Sequence, residues 1–320
     1  MKKHTIILII IAAALVFVGG IMFGGVMTAV KWDFTKLSTT KYETNTHKIT
    51  DTFKNISVDT DTADIVFLPS GEGECSVVCV EENNMKHSVA VENGALIIKL
   101  TDTRKWYQHI GLHFGTPKIT LYLPAGEYGA LKTVADTGDL SLPQDFSFES
   151  LDILESTGDV KSAAAVSGDV RITASTGKIN FTGKSAGSLT LTTSTGDISV
   201  GGTTCAGDVN ITVSTGKTSL SDISCKSVVS RGSTGRIGLK NVVATEKFSI
   251  KRSTGNVTFD SSDAAEIYLQ TDTGDVFGTL LSEKVFITET STGKINVPKS
   301  ISGGKCEIST STGDITISIK

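Results

Sequence analysis

Two Asp-Thr-Gly triplets are the residues of this chain whose type and spacing most directly suggest chemistry. They lie at 136–138 and 272–274. Aspartic proteases use a pair of carboxylates that share one proton, and each sits in such a triplet. Here both aspartates occupy a position that holds serine in neighbouring copies of a repeat, at Ser156, Ser175 and Ser194. Because the surrounding residues also match the repeat, we interpret both triplets as structural.

Three Ser-Thr-Gly-Lys stretches, which end at Lys178, Lys217 and Lys294, match the Ser-x-x-Lys pattern of penicillin-recognising enzymes. That pattern needs a helix and companion Ser-Asp-Asn and Lys-Thr-Gly elements, and the sequence contains neither companion. One of the stretches continues as Gly-Lys-Thr, like the end of a phosphate-binding loop, but Ile211 stands where that loop requires a glycine. These stretches therefore predict no catalysis, and we expect the protein not to be an enzyme.

The segment TDTRKWYQHIGLHFGT, residues 101–116, is the remaining candidate site. His109 and His113 are four residues apart, but no third zinc ligand is evident, so we predict no metal and no cofactor. Trp106, Tyr107 and Phe114 concentrate aromatic side chains in a chain with only 6% aromatic residues. The aromatic residues either cover one end of the core or are exposed and contact a partner. The predicted contact loop consists of Trp106, Tyr107, His109, His113 and Phe114.

A repeat of 19 or 20 residues accounts for the recurring motifs. Alternating aliphatic residues flank each Thr-Gly pair, for example Leu189 and Leu191 before it and Ile198 and Val200 after it, which is typical of half-buried strands. One such unit cannot bury its apolar face alone, so the units must stack. The sequence predicts an all-β, parallel β-helix-like solenoid of 19–20-residue coils. The motif glycines are Gly138, Gly158, Gly177, Gly196, Gly216, Gly235, Gly255, Gly274, Gly293 and Gly313.

The corner of each coil has two recognisable features. Glycine adopts positive φ without the cost of about 1–2 kcal/mol that other residues incur, so it suits a sharp turn that recurs at one place. The residue after the glycine alternates in charge from Asp159 through Lys178 and Asp197 to Lys217. Opposite charges on adjacent strands attract, so this column is predicted to set the register of the coils.

The residues before the repeat have a different pattern. The stretch ISVDTDTADIVF, residues 56–67, is interpreted as a degenerate first coil, and SVAVENGALIIKL, residues 88–100, as a hairpin with a type I′ Asn-Gly turn. KITLYLP, residues 118–124, follows as another strand. The predicted organisation is a cytoplasmic N-terminus (1–5), a transmembrane helix (6–30), a linker (31–50), an antiparallel β meander that caps the solenoid (51–126), and the solenoid itself (127–320).

Residues 6–30 contain no charged side chain. Some 20 apolar residues suffice to span a bilayer, whereas the apolar core of a cleaved signal peptide, the alternative, is usually about 7–15 residues long. Lys2 and Lys3 favour a cytoplasmic N-terminus. The sequence therefore predicts a single-pass protein of the cell membrane with its C-terminal domain outside the cytoplasm.

Charge and cysteine content exclude two further classes. A net charge of −4 without a basic cluster argues against nucleic-acid binding, and five cysteines are too few for a disulfide-stapled domain of this length. Cys205 and Cys225 each lie nine residues after a motif glycine, in a column with Ala186, Ala244 and Ala264. We predict that the two cysteines stack on neighbouring coils, ~4.8 Å apart at Cα, with their oxidation state left open.

The apolar N-terminus, the ISVDTDTADIVF start and the run of Ser-Thr-Gly-Asp coils together resemble a bacterial family of "putative adhesins", similar to LiaG-type and toast-rack envelope proteins. The resemblance implies a surface-exposed β-solenoid and brings no catalytic residues. The predicted function is a membrane-anchored interaction or scaffold protein of the cell envelope, with envelope proteins, membrane proteins or surface glycans as partners. A sensory ectodomain in envelope-stress signalling is the alternative. A glycan-active enzyme, which would need clustered carboxylates in a groove, is a more remote one.

Overall fold

The computed structural model describes residues 3–33, 36, 41–71, 73–106, 115–184 and 187–320. In chain order its elements are α1 (Lys3–Ala29), β1 (Tyr42–Ile49), β2 (Asn55–Thr62), β3 (Asp64–Pro69), β4 (Cys75–Glu82), β5 (Met85–Glu92), β6 (Ala95–Asp102), β7 (Lys118–Leu123), β8 (Gly126–Thr137), β9 (Leu140–Leu142), β10 (Phe146–Thr157), β11 (Val160–Ser162), β12 (Ala165–Val166), β13 (Val170–Thr176), β14 (Ile179–Phe181), β15 (Leu189–Thr195), β16 (Ile198–Gly201), β17 (Val209–Thr215), β18 (Thr218–Thr234), β19 (Ile237–Thr254), β20 (Val257–Thr273), β21 (Val276–Leu280), β22 (Lys284–Thr292), β23 (Ile295–Asn296), β24 (Gly304–Thr312) and β25 (Ile315–Ile319).

Helix α1 is apolar on all sides. Its segment Thr5–Ala29 has a mean hydropathy of 3.1, and its large side chains are exposed apart from the buried Met27. At 1.5 Å per residue, its 27 residues extend about 40 Å, more than the ~30 Å of a bilayer core. A helix of this kind fits a single-pass anchor or a signal sequence.

Parallel ladders join the coils and confirm the predicted β-solenoid. In the row of strands before the corner, Leu151 pairs with Val170, and Val170 pairs with Leu189. In the row after the corner, Val160 pairs with Ile179. All of these aliphatic side chains are buried, so stacking produces continuous apolar columns inside the solenoid.

In many coils a third, short stretch of strand pairing lies between the strand after one corner and the strand before the next. The sequence predicted only a turn there. Ile223 pairs there with Val242, and Cys225 pairs with Ala244. The cysteine column lies on this side, where the Cys205 amide donates to the carbonyl of Ser224 at 2.8 Å. The predicted stacking of Cys205 on Cys225 is therefore confirmed, although Ala186 of the same column lies outside the described residues.

The Thr-Gly corners require glycine for two reasons. Nine of the ten motif glycines have φ between 130° and 154°, a region that side chains disfavour. In addition, a Cβ atom built on Gly158 would overlap the carbonyl oxygen of Gly138 in the previous coil, and the same overlap recurs along the stack. The corner therefore combines an unusual dihedral angle with close contact between backbones.

The residue after each glycine supports the register through the backbone rather than through the predicted ion pairs. Asp139 Oδ1 accepts the amide of Asp159 at 2.8 Å, and Asp159 Oδ1 accepts that of Lys178 at the same distance. Asp197 and Lys217 repeat the arrangement. A lysine cannot accept a hydrogen bond, so it is the aspartate of such a pair that orients the coil stacked next to it, as Asp314 does for the amide of Lys294.

The N-terminal residues continue the stack before closing it. Strands β2 and β3 form the predicted degenerate coil, where Ile56 pairs with Leu131. On the other side of that coil β6 and β7 form a further parallel coil, with Ile56 against Leu96, where the sequence predicted only a meander. Strands β4 and β5 then pair with β7 and β6 in antiparallel fashion. The Asn93-Gly94 turn has φ of 51° and 75°, as a type I′ turn requires.

The segment predicted as a linker, residues 31–50, contains strand β1. It pairs with β4 along its whole length, from Tyr42 opposite Glu82 to Ile49 opposite Cys75. Its sequence YETNTHKI is largely polar, because β1 is an edge strand that covers little of the core.

The last two coils stack out of chain order. Cys306 of β24 pairs with Ile267 on one side and with Phe286 on the other, so the C-terminal coil lies between two coils that precede it in sequence. The outermost coil is therefore β22–β23. A buried ion pair joins it to the stack, since Lys284 Nζ lies 2.7 Å from Asp263 Oδ1.

Two charged side chains are buried inside the solenoid without an ionic partner among the described residues. Arg252 is 1% exposed and donates to the hydroxyls of Thr218 and Ser230, at 2.7 and 3.1 Å. Gly232 provides the space for this guanidinium. Glu155 is also 1% exposed, and neither of its carboxylate oxygens has a hydrogen-bond partner. Burial, together with the nearby charges of Asp139 and Asp136, raises the pKa of Glu155 to about 8.

The order of the last coils can be tested by disulfide cross-linking. Gln270 pairs with Ser309, so the Gln270→Cys, Ser309→Cys variant places two cysteines ~4.8 Å apart at Cα, within disulfide range. We expect this pair to oxidise, as detected by mass spectrometry of peptides. The matched control is Gln270→Cys with Glu289→Cys, whose residues would be neighbours if the coils followed chain order. A disulfide in the control and none in the first variant would refute the observed order.

Glu155 predicts a pH dependence of stability. Its folded pKa exceeds the unfolded value of 4.5, so its neutral form stabilises the protein fully below pH 4.5 and this contribution disappears as pH rises towards 8. As the pH rises from 4.5 to 8, Glu155 should lower the free energy of unfolding by up to about 1.4 kcal/mol per pH unit. Urea titrations at pH 5 and pH 8 should show a smaller difference for Glu155→Gln than for wild type. Glu149→Gln, which removes an exposed carboxylate from the same strand, should retain the wild-type difference.

Candidate functional site

The row of Thr-Gly corners is interrupted in the coil formed by β6 and β7. Residues 103–117 connect these two strands in place of a corner, and a cavity of about 300 Å³ lies beside them. We call this cavity the corner cleft. Its lining includes Tyr42, Asp61, Glu81, Glu82, His87 and Arg104.

Residues on either side of the predicted contact loop line the corner cleft. Arg104 and Gly115, which flank it in sequence, both line the cavity. Trp106 is 76% exposed, whereas Tyr107, His109, His113 and Phe114 lie outside the described residues. The hairpin of β4 and β5 covers the end of the apolar core at this point. The role of the loop in binding stays a prediction.

A buried hydrogen-bond network forms the floor of the cleft. Glu81 of β4 and His87 of β5 lie at inward-facing positions of one hairpin, 1% and 5% exposed. Glu81 Oε2 accepts the backbone amide of His87 at 2.6 Å and contacts His87 Nδ1 at 2.7 Å. Its other oxygen accepts from Asn45 Nδ2 at 2.7 Å. The carboxylate is thus satisfied by three donors, which offsets the cost of burying its charge.

His87 also bonds to Thr60, its Nε2 lying 2.9 Å from Thr60 Oγ1. Hydroxyl, imidazole and carboxylate in this order are the arrangement of an activated nucleophile. Thr60 is only 5% exposed and is not one of the residues that line the corner cleft. Since a substrate in the cleft could not reach this hydroxyl, we interpret the arrangement as structural.

The rim of the cleft carries charges of both signs. Arg104 binds Asp102 through two nitrogens, with Nη2 to Oδ2 at 2.8 Å and Nε to Oδ1 at 3.0 Å. The hydrogen bond to Asp102, with smaller contributions from Glu82 and Asp61, raises the pKa of Arg104 above its usual value. Tyr42 donates its hydroxyl to Glu82 at 3.3 Å, and burial raises its pKa. The rim therefore presents oriented donors and acceptors to a polar ligand.

Three side chains at the floor of the corner cleft could together hold a metal ion. The ligand atoms of Cys79, Glu81 and His87 are all within 4.8 Å of one another. Burial, with a smaller contribution from the charge of Glu81, raises the pKa of the Cys79 thiol to about 12. The histidines that the sequence singled out, His109 and His113, are not part of this group.

The proximity of Glu81 and His87 could not be predicted from the sequence, because it depends on how β4 and β5 pair. One local signal was available. In SVVCVEE the buried alternation of Val77 and Cys79 continues into Glu81, and a carboxylate at a core position of a strand requires a buried partner.

The floor of the cleft predicts a stability effect. Glu81→Ala removes the acceptor of both His87 and Asn45, and breaking a buried pair in this way costs about 3 kcal/mol. Urea unfolding should show this loss as a lower midpoint with an unchanged slope. Glu43→Ala removes a half-buried carboxylate that also accepts from Asn45 and should change the midpoint little. Equal effects of the two substitutions would contradict the buried network.

Several solved bacterial structures are similar to this chain. A "putative adhesin" from Bacteroides fragilis is 15% identical with a TM-score of 0.33, and the alignment covers 87% of this chain and 97% of that one. A "putative adhesin" from Parabacteroides merdae is 12% identical with a TM-score of 0.34, covering 74% and 96%. A "putative lipid binding protein" from Parabacteroides distasonis is 14% identical with a TM-score of 0.32, covering 88% and 98%.

Among curated proteins, none matches the sequence significantly. The model of one protein family does match it, over residues 53–214 and again over 202–320. The two matches together extend from the first coil to the end of the chain and overlap within the repeat. The chain belongs to the Toastrack DUF4097 family.

Proposed function

We propose that this protein is a membrane-anchored interaction protein of the bacterial cell envelope, which binds a partner through the contact loop and the corner cleft and catalyses no reaction. The observation that carries the proposal is the interruption of the corner row at residues 103–117. It sets an exposed Trp106 next to a cleft in an otherwise regular stack.

The regular part of the solenoid offers little chemical specificity. Its outward positions along the corners carry Ser, Thr and charges of both signs, repeated from coil to coil. A partner that bound such a surface in one register would meet a similar surface two coils away. The corner cleft differs, because Tyr42, Glu82 and Arg104 come from separate strands and loops and occur together at one place.

An exposed tryptophan beside a polar cleft has the composition of an interaction hot spot. Aromatic residues and arginine supply much of the binding energy at such sites, and neighbouring polar groups fix the orientation of the partner. Arg104 is already held by Asp102, so less side-chain entropy is lost when it engages a ligand. We propose a surface protein or an envelope glycan as the partner.

The apolar helix supports attachment to a membrane. Its segment Thr5–Ala29 contains 25 residues and is long enough to cross the bilayer. Lys2 and Lys3 precede it, which favours an orientation with the β-solenoid outside the cytoplasm. In this orientation the corner cleft, whose lining includes Tyr42, lies outside the cytoplasm.

The proposal predicts that Trp106→Ala weakens binding without affecting folding. Full-length protein in nanodiscs is mixed with envelopes isolated from bacteria that lack it, and the bound fraction is measured by sedimentation. We expect Trp106→Ala to lower the affinity at least tenfold, as for a hot-spot residue worth about 2 kcal/mol. Its melting temperature should equal that of wild type.

Phe277→Ala is the matched control, because Phe277 is an aromatic residue 42% exposed on β21, at the other end of the solenoid. It should bind like wild type. If Trp106→Ala lowers the melting temperature by many degrees, the loop covers the core and the proposal is wrong. Equal binding by both variants would also overturn it.

A further inference from the structure

We propose that Cys79, Glu81 and His87 form a binding site for one divalent ion of the zinc type. The site lies at the floor of the corner cleft and is independent of whether the contact loop binds a partner. Three different side chains, a thiol, a carboxylate and an imidazole, converge there from the two strands of one hairpin.

The donor atoms select the metal. Thiolate sulfur and imidazole nitrogen are the preferred ligands of Zn²⁺, and carboxylate oxygen is also accepted. Ca²⁺ and Mg²⁺ bind through oxygen ligands, of which this group has one side chain. Zinc bonds of about 2.0–2.3 Å at tetrahedral angles separate ligand atoms by about 3.3–3.8 Å. The donor atoms of the three side chains lie within 4.8 Å of one another. Glu81 Oε2 and His87 Nδ1, which are 2.7 Å apart, must separate by about 1 Å to bind one ion.

The surrounding hydrogen bonds suit a metal site. Thr60 Oγ1 lies 2.9 Å from His87 Nε2, the nitrogen that must carry the proton when Nδ1 binds a metal. Asn45 Nδ2 donates to one oxygen of Glu81 at 2.7 Å. Partners of this kind orient the ligands in metalloproteins. Because the Thr60 hydroxyl can donate or accept, its bond to His87 persists in either tautomer.

The corner cleft provides access and a fourth ligand. Glu81 and His87 both line it, so an ion can enter from solvent and keep a water molecule on its open side. Cys79 is fully buried behind them. Three protein ligands with one open position are typical of zinc sites that exchange a ligand.

Metal binding has a defined proton balance. The Cys79 thiol loses its proton when sulfur bonds to the metal. His87 binds the metal through Nδ1, so the proton that the imidazole retains lies on Nε2, beside Thr60. Glu81 loses the contact with Nδ1 and retains the hydrogen bond from the backbone amide of His87, which is 2.6 Å long in this structure. The thiol proton is released to solvent.

The rival explanation is that Glu81 and His87 form a buried pair that needs no metal. The two explanations differ at Cys79. If Glu81 and His87 only form a buried pair, Cys79 is a packed apolar side chain. If the three residues bind a metal, the sulfur of Cys79 is a ligand. An experiment that detects sulfur–metal bonding therefore separates them.

The test uses the untagged full-length protein in detergent, freed of metal with a chelator and dialysed against Zn²⁺, Co²⁺ or Ca²⁺. We expect one Zn²⁺ per chain by elemental analysis, no bound Ca²⁺, and a thiolate-to-cobalt charge-transfer band in the near ultraviolet with Co²⁺. Zn²⁺ should also raise the melting temperature of the metal-free protein, because a ligand that binds only the folded state stabilises it.

Cysteine variants test whether the sulfur of Cys79 is the metal ligand. Cys79→Ser should lose the cobalt band and bind Zn²⁺ at least tenfold more weakly. Thr60→Val, which removes only the hydrogen bond to His87, should weaken binding by about 10–100-fold. Cys75→Ser, on the same strand but outside the group, and Cys225→Ser, from the cysteines stacked on neighbouring coils, are the controls and should bind like wild type.

Two results would overturn the proposal. One is the absence of stoichiometric Zn²⁺ and of the cobalt band in wild type. The other is a band that survives Cys79→Ser but disappears in Cys225→Ser, which would place the metal on the third side of the solenoid. If Cys79→Ser does not fold, the wild-type spectrum and the two cysteine controls still decide between the explanations.

Discussion

The contact between backbones at the Thr-Gly corner is the constraint on which the rest of the structure depends. The carbonyl oxygen of one motif glycine occupies the position where the next one would carry a Cβ atom. Only glycine permits this approach, and it fixes both the spacing and the register of the coils. The apolar columns, the third strand and the aspartate-to-amide bonds all follow from that register, because a shift of one residue would turn every buried side chain outward.

The repeating part of the fold could be predicted from the sequence because every coil has the same pattern of residues. Alternating aliphatic residues identify the strands, and Thr-Gly identifies the corner. The prediction was wrong about the bonding of the charged column, where Asp139 accepts the amide of Asp159, since charge patterns suggest side-chain pairs more readily than bonds to the backbone. The order of the last coils escaped prediction for a similar reason. Equivalent coils can stack in either order, and only particular contacts, such as Lys284 with Asp263, favour one of them.

The candidate site was predicted in part. Composition identified the loop that contains Trp106, because aromatic residues are scarce elsewhere in the chain. The floor of the cleft was not identified, since Thr60, Glu81 and His87 lie on three strands whose pairing no local pattern encodes. Strand β1 was missed because an edge strand has little need of apolar residues. The regular stacking can thus be predicted from the sequence of one repeat. The structure of a segment that interrupts the stack cannot, because it depends on contacts between strands that are distant in sequence.

The insertion of the C-terminal coil between two earlier ones has a mechanical consequence. In a solenoid that stacks in chain order, tension on the C-terminus peels away one coil at a time and breaks hydrogen bonds in sequence. Here β24 is bonded on both edges, so tension on the chain end must shear two ladders together. If the N-terminus is held in a membrane, pulling on the C-terminus would then unfold the last coil only when both of its ladders break.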